Sequence, residues 1–193
     1  VKKKGVLISI IIAIIVIILF PLIGSYNGFV SAEENVNQQY AQIENQLQRR
    51  MDLIPNLVNT VKGYASHEKD IMEDIANARS RLIGARSPEE LADADAELSS
   101  ALSRLLVISE NYPDLKADQQ FTQLMDELSG TENRIAIARK DYNEEVQNYN
   151  KKVKRFPGRI TAGIFGFDEK EYFQADPKAG EAPKVDFEGN GNG

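Results

Sequence analysis

The sequence predicts an all-α protein: an N-terminal transmembrane helix followed by an antiparallel up-and-down four-helix bundle with long first and fourth helices. Three observations carry this. Residues 6–23 carry no charge and are mostly Ile, Val and Leu, just after Lys2, Lys3 and Lys4. Beyond them, apolar residues recur at spacings of three and four, the signature of helices buried along one face. No stretch alternates with period two over a useful length, so no sheet is expected.

The apolar run comes first. Eighteen helical residues span roughly 27 Å, close to the ~30 Å hydrocarbon thickness of a bilayer. Pro21 falls near its far end, and Tyr26 and Phe29 sit where interfacial aromatics belong. A cleaved signal peptide is the competing reading, with Val30-Ser31-Ala32 as a small-residue cleavage site. A buried core helix is disfavoured, because the run has no polar face. Three lysines precede the run and the first Lys or Arg after it is Arg49. The positive-inside rule therefore places the N-terminus in the cytoplasm and the rest outside an inner (cytoplasmic) membrane, the alternative topology keeping the bundle cytoplasmic.

The expected organisation is an anchor over residues 1–25, a helical bundle over 26–173 and an acidic Gly/Asn tail over 174–193, expected to be disordered. The first apolar series is Val36, Tyr40, Ile43, Leu47, Ile54, Leu57, Val61 and Tyr64. A second runs Ile71, Ile75, Ala78 and Leu82, and a third runs from Leu91 to Tyr112. The fourth, Phe121, Leu128, Ile135, Tyr142, Tyr149 and Phe156, repeats every seven residues, as in long helices packed at shallow angles.

The breaks follow from local chemistry. A turn is expected near residues 63–67, with Ser66 as N-cap of the second helix. Ser87-Pro88-Glu89-Glu90 is a capping box with proline at the first helical position. Pro113 ends the third helix, since proline disfavours helical geometry in the residue before it. Phe156-Pro157-Gly158 ends the fourth, which covers about residues 116–155. Pro55 lies inside the first helix, where it cannot donate to the carbonyl of residue 51, so a kink is expected. The run Ile164-Phe165-Gly166-Phe167 reads as an apolar plug against the base of the bundle, with membrane insertion as the runner-up.

Composition limits the chemistry. There is no cysteine, which removes disulfides and thiolate sites. Net charge is −6, and without the three leading lysines 20 basic residues face 29 acidic ones, a net −9. That argues against nucleic acid, whose phosphates need a basic face. His67 is the sole histidine and position 71 is Ile71, so no zincin pair exists. No catalytic, cofactor or metal site is expected.

Antiparallel packing gives a register. If Ala65 sits level with Ala117, counting back residue for residue sets Arg50, on the apolar seam, level with Glu132. A buried charge needs a partner, so an Arg50–Glu132 contact is expected, against the alternative that Arg50 snorkels to solvent. Arg49, Asp52, Asn56 and Asn59 form a stripe opposite the seam, a candidate docking face as well as an ordinary solvated one. Short second and third helices leave a two-helix stalk, expected to expose Val36, Tyr40, Ile43, Tyr149 and Phe156 to a second copy or a partner.

Several ordered blocks resemble a known family. Gln48-Arg49-Arg50-Met51-Asp52-Leu53-Ile54-Pro55-Asn56-Leu57-Val58 continues into residues 61–68. Tyr112-Pro113-Asp114-Leu115-Lys116-Ala117, then residues 131–143, then Phe156-Pro157 with Phe165-Gly166-Phe167 follow. Together they resemble the bacterial LemA family. The resemblance implies a single N-terminal span, an up-and-down four-helix bundle, no catalytic activity and no cofactor. It also suggests an HtpX-type membrane protease or a TPM-domain membrane protein as partner, beside lipid around the anchor and the homo-oligomer expected from the stalk. The function expected is a non-enzymatic, membrane-anchored envelope scaffold or assembly protein; the alternative is a membrane-anchored sensor, regulator or protease adaptor.

Overall fold

The computed structural model describes residues 2–173, with side chains from Ile12 onward except Ile14 and Ile18. The expected C-terminal tail lies outside the described residues. Those described are helical and contain no strand: α1 Lys2–Tyr64, α2 Lys69–Gly84, α3 Pro88–Ser109, α4 Pro113–Lys116, α5 Gln119–Lys154 and α6 Gly158–Phe165. α1 is long and, in its N-terminal part, apolar enough to cross a membrane. It continues without interruption through Pro21 and Pro55 into the folded region.

Two compact units divide the chain. Among the described residues the first comprises 2–50 and Glu127–Tyr172. In it α1 and α5 run antiparallel: Phe29 meets Tyr149 edge-on at 6.1 Å, Tyr40 lies 5.8 Å from Tyr142, and Arg50 meets Glu132. Along α1 the partner numbers rise as those along α5 fall. α5 ends at a cis Phe156–Pro157 bond, and α6 then turns back onto α1. Gly166, at φ 75°, caps α6 in the left-handed conformation that glycine adopts without steric cost. Beyond it, an irregular segment lies along both long helices. The Asn150 side chain donates to the Lys170 carbonyl and accepts from the Lys170 amide, each at 2.9 Å. Tyr142 Oη donates to the Glu171 carbonyl at 2.9 Å, and Lys170 pairs with Glu33 at 2.6 Å.

Among the described residues the second unit contains Met51–Asp126 and Phe173, so it holds the end of α1, then α2, α3 and α4, and the start of α5. Its core is apolar, with Leu57, Ile75, Leu98, Leu105 and Leu115 essentially inaccessible. α2 and α3 are joined by a tight turn and tied by Arg104–Asp74 at 2.8 Å and by Arg81–Glu97. Ser87 Oγ accepts from the Glu90 amide, and Pro88 opens α3. The reciprocal bond differs from expectation: the Glu90 carboxylate accepts from the Arg86 amide at 2.7 Å, one residue earlier than a capping box requires. Ser66 is not an N-cap. α2 starts at Lys69 behind Glu68, which makes no side-chain cap, because the backbone turns through residues 65–68 first. α5 starts three residues later than expected, since the short α4 intervenes and Asp118 caps α5 through the Phe121 amide at 2.8 Å.

Candidate functional site

Pro55 removes one backbone donor from α1, leaving the Met51 carbonyl without its helical partner. Arg79 of α2 fills the gap: its Nε donates to Met51 O at 3.0 Å. The proline thus creates an acceptor that a neighbouring helix uses. Nearby, Tyr64 Oη donates to the Asp118 carboxylate at 2.8 Å, and Tyr112 Oη to Glu68 at 2.8 Å. The Tyr64–Asp118 contact agrees with the level set by Ala65 against Ala117. Asp118 accepts from the Phe121 amide and from Tyr64, and its carboxyl is held below the usual range, backbone bond first.

Arg50 is fully buried, and its Nη2 lies 3.7 Å from Glu132 Oε2, whose side chain is half exposed. Arg49 points outward and pairs with Glu127 at 3.6 Å. Asp52, Asn56 and Asn59 are exposed, as is His67. No group of acidic residues and histidine suited to a metal ion occurs among the described residues.

The stalk expectation needs correction. Val36, Ile43 and Tyr149 are buried, at 2%, 0% and 0% exposure, and Tyr40 is half-buried; Phe156 alone is open, at 82%. Two helices do not cover these residues by themselves. The segment after α6 adds a further layer at Tyr149, with Lys170 Nζ 5.7 Å from its ring centre, anchored through Asn150, Tyr142 and Glu33. Burial, then Glu33 and Asp168, push the Tyr149 hydroxyl up to about 12. Burial, then Tyr40 and Glu171, do the same for Tyr142, also to about 12. Asn150 carried a signal that spacing arguments missed: it is a buried amide beside a seam position, which needs a polar partner.

The apolar plug takes a defined place. Phe167 stacks on Phe29 with ring centroids 4.9 Å apart, and Phe165 lies 4.9 Å from Tyr26. Beside it opens a groove of about 750 Å³. Its floor includes Gly28, Phe29 and Ala32, and its rim includes Lys151, Lys152 and Arg155. Lys152 Nζ donates to the Gly28 carbonyl at 3.1 Å. Nothing in the spacing of apolar residues marked this basic rim.

The model of the LemA family matches residues 39–187. The chain belongs to the LemA family. Among its relatives, Magnetosome protein MamQ 2 of Paramagnetospirillum magneticum is 29% identical over 197 residues, covering 89% of this chain and 72% of the relative. Magnetosome protein MamQ of Magnetospirillum gryphiswaldense is 27% identical with the same coverage. Protein LemA of Metamycoplasma hominis is 26% identical over 176 residues, covering 89% of this chain and 77% of that protein. The LemA match takes in Arg50, Pro55, Arg79 and Asn150, so the residues that tie its helices together lie inside the family region.

Proposed function

We propose that this LemA-family chain is a non-enzymatic scaffold or assembly protein, anchored in the bacterial inner membrane by the N-terminal part of α1. It works through helix-to-helix contacts with a second copy or a membrane partner. The observation that carries the reading is the continuity of α1, a single helix that holds the apolar stretch at one end and core residues such as Ile54, Leu57 and Val61 at the other. A binding event on the folded region is then transmitted to the membrane along this one helix. The bundle proposed is up-down-up-down, formed by α1, α2, α3 and α5. The α2–α3 hairpin and the antiparallel run of α1 against α5 support that order.

The contact face proposed is the outward side of α1 carrying Asp52, Asn56 and Asn59, with Arg49 a turn earlier. The corrected burial of Val36, Ile43 and Tyr149 removes them from any such face. The orientation proposed, N-terminus cytoplasmic and folded region outside, rests on Lys2, Lys3 and Lys4. The test is purification of the full chain from native membranes, with mass measurement and identification of accompanying proteins. The scaffold reading expects an assembly larger than one copy that shrinks when Arg49 and Asn56 are both replaced by alanine. A monomer alone, before and after substitution, refutes it.

A further inference from the structure

The end of α5 and α6 combine two properties. Phe156, Ile160, Ile164 and Phe165 are large, apolar and exposed, at 82%, 51%, 61% and 50%. Lys151, Lys152, Arg155 and Arg159 are exposed beside them in a chain whose net charge is −6. α6 buries Thr161 and Ala162 and turns Ile160 and Ile164, one turn apart, outward. A short helix with its apolar side open and cations flanking it has the composition of an element that lies in a membrane interface.

Position narrows the occupant. Phe165 packs on Tyr26, three residues past Ile23, and the basic groove opens at Gly28. At 1.5 Å per helical residue these points lie about 5 and 8 Å beyond the end of the apolar run. The headgroup layer of one leaflet is about 5–8 Å deep. The end of α6 therefore sits at headgroup depth of any bilayer that α1 crosses. Acidic neighbours are few: Glu145 lines the groove, Glu169 is engaged by Lys154 at 2.7 Å, and Asp168 follows Phe167.

We propose that Phe156, α6 and the basic rim form a foot that docks on the anionic headgroups of the same bilayer that α1 spans. Ile160, Ile164 and Phe165 enter the boundary between headgroups and acyl chains, and Lys151, Lys152, Arg155 and Arg159 bind lipid phosphates. This rests on the reading of α1 as a membrane anchor. The foot fixes the angle at which the folded region leaves the membrane, since it adds a second attachment beside the helix.

The chain contains no tryptophan, so one introduced residue is a clean reporter. The full chain is reconstituted in vesicles with acyl chains brominated near the headgroup and, to reach the buried apolar run, in parallel vesicles with acyl chains brominated near the chain end, each zwitterionic or with added phosphatidylglycerol. Three variants are read by fluorescence: Ile164→Trp in the foot, Val16→Trp in the apolar run and Val107→Trp on exposed α3. The expected result is strong quenching of Ile164→Trp in anionic vesicles, weaker in zwitterionic ones, with Val107→Trp unquenched. Each cation near an anionic surface is worth roughly a fivefold change in partitioning. Changing Lys151, Lys152, Arg155 and Arg159 to Gln in the Ile164→Trp chain should therefore cut quenching by about half or more. Unchanged helical content by circular dichroism shows that this chain is folded. An unquenched Ile164→Trp beside a quenched Val16→Trp overturns the foot and leaves the anchor standing. If Val16→Trp is also unquenched, the anchor reading itself fails. Equal quenching in both vesicle types, or a blue-shifted but unquenched Ile164→Trp, also overturns the proposal, the latter because protein rather than lipid then covers the face.

Discussion

Removing the Arg79 guanidinium should be costly only while residue 55 is proline. Arg79 Nε donates at 3.0 Å to the Met51 carbonyl, the acceptor that Pro55 leaves unserved. A hydrogen bond to a charged donor contributes about 1.5–3 kcal/mol. Arg79 is only partly buried, so Arg79→Met, which keeps the apolar stem, should cost about 1–2 kcal/mol. Pro55→Ala restores the amide that bonds Met51 within α1. Its helix-propensity gain of about 3 kcal/mol is offset by roughly 1 kcal/mol of added freedom in the unfolded chain. In the Pro55→Ala background the Met51 carbonyl is already satisfied, and Arg79→Met should lose at least about 1 kcal/mol of its effect. Urea denaturation of the full chain in detergent, followed by circular dichroism, reads this as shifts in midpoint. With a slope of about 2 kcal/mol per molar, Arg79→Met moves the midpoint by about 0.5–1 M when Pro55 is present and much less in the Pro55→Ala chain. Equal shifts in both backgrounds refute the reasoning, because the guanidinium would then act through something other than that carbonyl.

The Arg50–Glu132 pair gives a related test. At 3.7 Å its attraction runs from about 1 kcal/mol in water to about 4–5 kcal/mol at an effective dielectric constant of 20. Because Glu132 is half exposed, Glu132→Gln should cost about 1–2 kcal/mol, while Arg50→Met, similar in volume, stays within about 1 kcal/mol of wild type in the same urea assay. Asp118, with its carboxyl lowered, stabilises the fold above the ordinary carboxylate range, and this is lost as pH falls through its lowered value; Asp118→Asn should flatten that acid limb of thermal stability. Tyr142 and Tyr149, raised from 10.0 to about 12, act in the opposite sense: their contribution is complete below pH 10 and disappears as pH rises toward 12. Tyrosinate absorbance should rise late, together with loss of helix, and Tyr142→Phe should delay that loss.

Helical character was legible because burial imposes a period. Leu128, Ile135, Tyr142 and Tyr149 are all buried, as their sevenfold spacing required. Chain ends of helices were legible where a side chain does the capping, as at Ser87, and misread at Ser66, where the backbone turns through residues 65–68 before α2 begins. The covering of the stalk was not legible. The segment after Gly166 has no periodicity, and it is held by an amide–backbone pair at Asn150 and one tyrosine hydroxyl rather than by an apolar stripe. A count of helices therefore overestimated exposure: Val36, Ile43 and Tyr149 are all buried, and at Tyr149 the irregular segment contributes through Lys170. The outward stripe on α1 was half legible in the same way. Exposure of Asp52, Asn56 and Asn59 follows from the period of α1, but the pairing of Arg49 with Glu127 depends on α5, which no local pattern specifies.

The same separation between chain order and space bears on the proposed orientation. Counted along the chain, positive charge lies before the apolar run, at Lys2, Lys3 and Lys4, and is absent after it until Arg49. Counted in space, Lys152 reaches the Gly28 carbonyl, and Lys151 and Arg155 rim the same groove, so the far flank of the run is basic as well. These two counts act at different times. Orientation is chosen while the segments flanking a span emerge, and charges close to it in sequence weigh most. Lys151, Lys152 and Arg155 come more than a hundred residues later and reach Gly28 only once α5 has packed on α1. On the proposed topology insertion therefore meets an asymmetric span, and folding later adds a basic group to its far flank. A late basic group does not contradict the lysine argument. It is the group that the proposed foot uses as a second attachment, which a single helix, free to rotate and tilt about one crossing point, would lack.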